Sequence, residues 1–250
     1  PPPYTDPAPT ETYTLTRSSA ASDVYKRQVL ETAADVDAVV VAGDHLDLAS
    51  GVPLETQIVA VRAWIRTLAG QGTTVVCSGN HDLTARNAHD EKAAPWIEDA
   101  AEDGAVVDWA TLDHGDVRIT VCPWWDGEAT RDDVGSQLAR DAVDRPTRWI
   151  WTYHFPPDGA ATSWIGSRHI GDPDLNHWIE RFSPDLVLTG HIHDAPFLDG
   201  GSWLAHLGET AVVNAGHAPG PVPAHVEIDT TTGRATWWSP YGSDEADLWS

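Results

Sequence analysis

The chain has 250 residues, 41% of them hydrophobic, and carries 38 Asp and Glu against 15 Lys and Arg for a formal net charge of −23. Such a composition excludes a disordered or fibrous chain and suits one α/β domain or two small ones. So negative a field excludes long nucleic acid and anionic lipid surfaces as expected partners, although a local cation site would still admit a single phosphate group.

No apolar run reaches the length of a membrane span and no signal-peptide pattern opens the chain, so no membrane association is expected. Cys77 and Cys122 are too few for a disulfide framework, which gives a cytoplasmic location as the expectation. There is no methionine. Residues 1–17 are rich in Pro and Thr without an amphipathic period. Residues 18–28, reading SSAASDVYKRQ, look like the in-frame translation of a transposase adaptor used to prepare sequencing libraries. The expectation is therefore an artefactual or disordered segment over 1–28 and a single domain over 29–250.

From residue 29 strand and helix signals alternate. Residues 29–34 read as a helix tail, and the β-branched run 36–42 as a buried strand that stops at Gly43-Asp44. Ile58, Val61, Ile65 and Leu68 give 54–68 a helical stripe ended by Gly70 and Gly72. The next buried strand, 73–77, runs into Gly79-Asn80-His81-Asp82. A helix over 93–101 follows, then strands over 105–112 and 117–123, an acidic surface helix over 132–143, and a strand over 149–153 ending at His154. A short helix over 174–182 precedes the strand 186–188, which ends at Gly190-His191-Ile192-His193. Hairpin-like strands at 203–206, 211–214, 225–229 and 235–238 close the chain.

Four strands thus finish in clusters of Asp, Asn or His. Strand carboxyl ends are where α/β folds build sites, and carboxylate, amide and imidazole together suit hard and borderline cations. His89, His114, His169, His177, His206 and His225 lack that context and read as structural.

The ordered motifs Gly43-Asp44-His45-Leu46-Asp47, Gly79-Asn80-His81-Asp82, lone His154 and Gly190-His191-Ile192-His193 resemble those of the calcineurin-like metallophosphoesterase superfamily, with Val213-Asn214-Ala215-Gly216 similar to its late N-x-G turn. The resemblance implies a four-layer α/β/β/α sandwich with two packed mixed sheets. It also implies two divalent metal ions (Mn²⁺, Fe²⁺/Fe³⁺ or Zn²⁺) and a metal-bridging hydroxide that attacks phosphorus. By the same resemblance Asp44 bridges the metals, Asn80, His154 and His191 complete the second site, and His193 binds the first. His81 acts on a phosphoryl oxygen or leaving group, and Asp47 orients it. Asp82 reads as a loop-fixing residue. The family's opening D-x-H, which supplies two ligands of the first metal, occurs nowhere before Asp44. The first strand is therefore expected to be missing, the first metal site crippled and a sheet edge unpaired.

Leu48-Ala49 stand where protein phosphatases of the family carry Arg-Gly. A small phosphodiester or nucleotide is the expected substrate class. A non-catalytic or single-metal phosphate-binding domain is the alternative. The thirteen tryptophans read mainly as packing, with Trp124-Trp125-Asp126-Gly127 the candidate substrate-side loop and Arg168 and His169 candidates for a distal phosphate. Oligomeric state is not legible.

Overall fold

The computed structural model describes residues 11–15 (backbone), 36–218 and 223–249. In chain order the described strands are β1 (Glu11–Leu15), β2 (Ala38–Ala42), β3 (Thr73–Cys77), β4 (Ala85–Arg86), β5 (Lys92–Ala93), β6 (Val106–Val107), β7 (Thr111–His114) and β8 (Val117–Val121). After these come β9 (Arg148–Thr152), β10 (Leu186–Thr189), β11 (Leu204–Leu207), β12 (Thr210–Asn214), β13 (His225–Asp229), β14 (Arg234–Ser239) and β15 (Gly242–Asp247). The described α-helices are α1 (Leu54–Ala69), α2 (Pro95–Glu98), α3 (Glu128–Asp141) and α4 (Pro173–Phe182).

Two mixed sheets form, one in the order β15-β14-β13-β1-β2-β3-β6 and one in the order β11-β12-β10-β9-β8-β7. Strand alternation explains why they stack. Val40 and Ala42 of β2 join Ile150, Leu186, Leu188, Ala211 and Val213 in the core between the sheets. Their neighbours Val39 and Val41 turn outward onto Val61, Trp64, Ile65 and Leu68 of α1. In the second sheet Trp149, Trp151 and Val187 likewise face outward, onto Val134 and Leu138 of α3 and Leu175 and Ile179 of α4. Each buried strand feeds two cores, which is why these segments read as continuous apolar runs and why the layers are α/β/β/α.

The structure corrects several expectations. The slot of the missing first strand is taken by Glu11–Leu15, parallel to β2 and antiparallel to β13, so β2 has no unpaired edge there. Thr, Tyr and Leu suit a pleated strand, and the two flanking strands offer a double row of hydrogen-bonding groups. Residues 16–35, including the adaptor-like segment and the helix tail at 29–34, lie outside the described residues. The expected strand 105–112 is broken: β6 belongs to the first sheet and β7 to the second, with Trp109 at φ 69° turning the chain across. The expected helix 93–101 shortens to α2, followed by a 3-10 turn over Asp99–Asp103. Strand β15 has almost no apolar pattern. It is held by β14 and by Trp203 Nε1, which donates to Asp244 Oδ2 at 2.9 Å.

The break between β6 and β7 has a chemical consequence. It buries the Asp108 carboxylate, whose Oδ1 accepts the Ser78 amide at 2.9 Å. Burial pushes its pKa up to about 7, against the hydrogen bonds from Ser78. Between the unfolded value of 3.8 and about 7 the native state binds more protons than the unfolded state, so stability falls as pH rises through that window. Asp108→Asn keeps the acceptor and removes the charge. Urea unfolding from pH 4 to 8 is expected to show the variant losing less stability than the parent, by up to about 4 kcal/mol.

Candidate metal centre

The centre lies where β2, β3, β9 and β10 end. After Ala42 the backbone enters the left-handed region twice, at Gly43 (φ 84°) and Asp44 (φ 57°), and this reversal swings the Asp44 carboxylate against His154 at the end of β9. Only glycine fits the first position, since a Cβ on Gly43 would collide with His154 Nδ1 and stand 2.7 Å from its Cγ. Asp44 is 2% exposed. Its Oδ1 accepts the His81 amide at 2.9 Å, and its Oδ2 lies 3.2 Å from His154 Nε2. Burial alone would raise its pKa, but His154 and the His81 amide hold the carboxyl well below the usual carboxylate range.

His154 is fully buried, and its Nδ1 contacts the Ala42 carbonyl at 2.5 Å. With Nδ1–H donating there, Nε2 is the ring nitrogen left to face the centre, 3.2 Å from Asp44 Oδ2 and without a well-aligned hydrogen bond. Burial would lower the His154 pKa, but the Asp44 carboxylate raises it. His191, also left-handed at φ 62°, brings its ring to 5.3 Å from that of His154. Burial first, then the neighbouring His154, lowers its pKa to about 4, which keeps the imidazole neutral and able to ligate at neutral pH. Ligand atoms of Asp44, His154 and His191 all lie within 4.8 Å of one another. Asn80 joins them through its Oδ1, 2.8 Å from His191 Nδ1.

This donor set fits one divalent cation: a carboxylate, an amide oxygen and two imidazoles, one with an orphaned buried nitrogen. Among the described residues His193 is not one of the three whose ligand atoms lie within 4.8 Å of one another; it neighbours His191, on whose imidazole its charge acts, and its ring lies 5.3 Å from that of His217. The sequence before Asp44 holds no Asp-x-His.

His81 sits at the rim, its side chain 23% exposed, with Nε2 3.9 Å from Asp44 Oδ2 and Nδ1 3.2 Å from the Leu46 carbonyl. Asp47 shapes the turn behind it, its Oδ1 accepting from Ala49 N at 2.9 Å and its amide donating to Gln57 Oε1 at 2.8 Å. Asp82 is fully buried and ties the loops after β2 and β3 together: Oδ1 accepts from His45 N and Leu46 N, and Oδ2 from Gly79 N. Burial pushes its pKa up, with His45 opposing. His169, the candidate for a distal phosphate, has its Nδ1 2.9 Å from the Ala160 carbonyl and its ring packed on Trp164.

Two supports carried no signal of their own in the sequence. Ser78 Oγ accepts the Trp124 amide at 2.9 Å, and Phe155 lays its ring 4.6 Å from that of His191. Asn214 anchors the last ligand loop, donating from Nδ2 to Thr162 O and Ile192 O while its Oδ1 accepts from Gly216 N. Asn214→Ala leaves three buried backbone groups without that partner. The expected cost is about 3 kcal/mol in urea unfolding, with weaker cation binding measured on the folded fraction.

A sequence model of the calcineurin-like phosphoesterase family matches residues 19–195, and the chain belongs to that family. Among solved structures it is similar to the TT1561 protein of Thermus thermophilus, at 15% identity and a TM-score of 0.54, covering 94% of this chain and 98% of that one. It is also similar to PhoD, at 8% identity and a TM-score of 0.53, covering 99% of this chain and 70% of that one. At these identities the likeness shows the fold. Comparison with curated proteins finds no sequence match. Among the described residues no helix is long and apolar enough to cross a membrane.

Proposed function

We propose that the protein is a metal-dependent hydrolase of small phosphate esters, with a small phosphodiester or nucleotide as its substrate class. The observation that carries this reading is the convergence of Asp44, His154 and His191 within 4.8 Å at strand ends, beside Asn80. These four side chains would hold a divalent cation such as Mn²⁺, Fe²⁺/Fe³⁺ or Zn²⁺. When bound, the cation polarises phosphoryl oxygens and acidifies water. The chain's own residues do the rest. Asp44 supplies the negative charge that retains the cation, and the Ala42 carbonyl fixes the tautomer that points His154 Nε2 inward. His81, partly exposed at the rim and held at Nδ1 by the Leu46 carbonyl, would present Nε2 to a phosphoryl or leaving-group oxygen. Asp47, by shaping the turn after Leu46, would keep that carbonyl in place.

A second reading, a single-cation phosphate-binding domain without turnover, is favoured by the absence of an Asp-x-His in the sequence before Asp44. Elemental analysis after incubation with excess Mn²⁺ and desalting, alongside turnover of bis(4-nitrophenyl) phosphate, separates the two. Metal-dependent turnover lost in His81→Ala supports the hydrolase. Stoichiometric Mn²⁺ with no turnover leaves the binding domain. A chain that retains no cation defeats both.

A further inference from the structure

Most of the tryptophans that the sequence offers as packing are just that: Trp149 and Trp151 are fully buried in the outer core of the second sheet. Trp124 is different. It follows β8 at the strand ends and remains partly exposed, yet it is held at both backbone and ring. Its amide donates to Ser78 Oγ at 2.9 Å, and Ser78 is itself fixed through its own amide by buried Asp108. The indole stacks on Phe155 at 5.4 Å and 27°, tilts over His191 at 5.4 Å, and meets His154 edge-on at 5.8 Å. Phe155, also partly exposed, packs on His191 from the other ring at 4.6 Å.

A rigid, partly exposed aromatic shelf therefore borders the two imidazoles that face the cation position. A phosphate seated against His154 and His191 would lie beside that shelf, within reach of its ester substituent. An aromatic face attracts a planar ring without adding charge, which suits a chain whose net charge of −23 disfavours polyanionic substrates.

We infer that Trp124 and Phe155 select phosphate esters whose alcohol side carries a planar aromatic group, an aryl ring or a nucleobase. The inference rests on the proposed phosphate site and deepens it. Trp124 acts as a specificity residue by stacking, and Ser78 and Asp108 act through it as positioning residues.

The test is equilibrium binding by calorimetry to the full chain with Mn²⁺, which does not depend on turnover. Phenylphosphonate is compared with methylphosphonate for the aryl arm, and adenosine 5′-monophosphate with ribose 5-phosphate for the nucleobase arm. At least one aromatic ligand is expected to bind about tenfold more tightly than its partner, and the arm that shows it identifies the ring. Trp124→Ala is expected to collapse that ratio towards one, and Trp124→Phe, which keeps a ring, to restore most of it. Ratios near one in the parent chain, or a ratio unchanged in Trp124→Ala, would overturn the inference while leaving phosphate binding intact. Binding of none of the four ligands overturns it together with the proposed phosphate site. Should Trp124→Ala not fold, the parent ratios and Trp124→Phe still decide. An aromatic preference without any ester turnover defeats the hydrolase reading alone.

Discussion

Gly79→Ala is expected to abolish Mn²⁺ retention and to lower the melting temperature by about 6–12 °C, the equivalent of roughly 3 kcal/mol in a domain of this size. The new methyl carbon would collide with Asp44 Oδ1 and lie 2.5 Å from Asp44 N and 2.9 Å from His154 Cδ2. None of these atoms can retreat cheaply. Asp44 Oδ1 is held by the His81 amide, the Asp44 backbone is already left-handed, and His154 is fixed by the Ala42 carbonyl. The displaced atoms belong to the ligands themselves, so cation binding and stability fall together. Gly51→Ala is the control, because a Cβ there meets nothing within 4 Å. Its melting temperature and metal content, by calorimetry and elemental analysis, should match the parent. A Gly79→Ala chain that retained Mn²⁺ would refute the close approach of the two loops.

Removing the Asp82 carboxylate should be at least as damaging. Asp82→Ala strips a fully buried group that accepts three backbone amides, from His45 at 2.9 Å, Leu46 at 3.2 Å and Gly79 at 2.8 Å. Each orphaned amide costs about 1–3 kcal/mol, so about 3–9 kcal/mol is expected in urea unfolding. Asp82→Asn keeps the shape but places an NH₂ group opposite amide donors on one side, and should recover only part of that loss. Both variants release the loops carrying Asp44 and Asn80 from each other. Metal titration on the remaining folded protein should accordingly show weakened binding in the same order. Equal stability of Asp82→Ala and the parent would show that the loops are held elsewhere.

The sequence was most informative where one rule governs a whole segment. Buried strands such as Thr73–Cys77 and the stripe of α1 announce themselves by apolar run or period, and the residues that follow them mark the strand ends. It was least informative where tertiary partners decide. The crossing at Trp109 depends on Asp108 meeting the Ser78 amide, a contact no local pattern encodes. The acidic β15 is specified by the ladder of β14 and by Trp203, not by its own composition. Residues 11–15 gave no amphipathic signal because their pairing comes from β2 and β13, which lie far along the chain.

At the centre, residue types and spacing picked out Asp44, Asn80, His154 and His191, which the fold brings together. They also picked out His193, which neighbours His191 and packs its ring 5.3 Å from that of His217. Spacing cannot report the support that makes ligands usable: the carbonyl behind His154, the amides on Asp82, or the indole held by Ser78.

The place of β1 bears on how the molecule is made. Thr12 faces Ala38 on one side and Ile228 on the other, so the strand that begins the described chain needs a neighbour that is translated almost last. Pairing across so long a sequence separation is slow, since loop closure must be completed before the contact rewards it. During synthesis β1 and β2 can associate early, but the far edge of β1 stays open until β13 leaves the ribosome, and in that interval another nascent chain can dock on it.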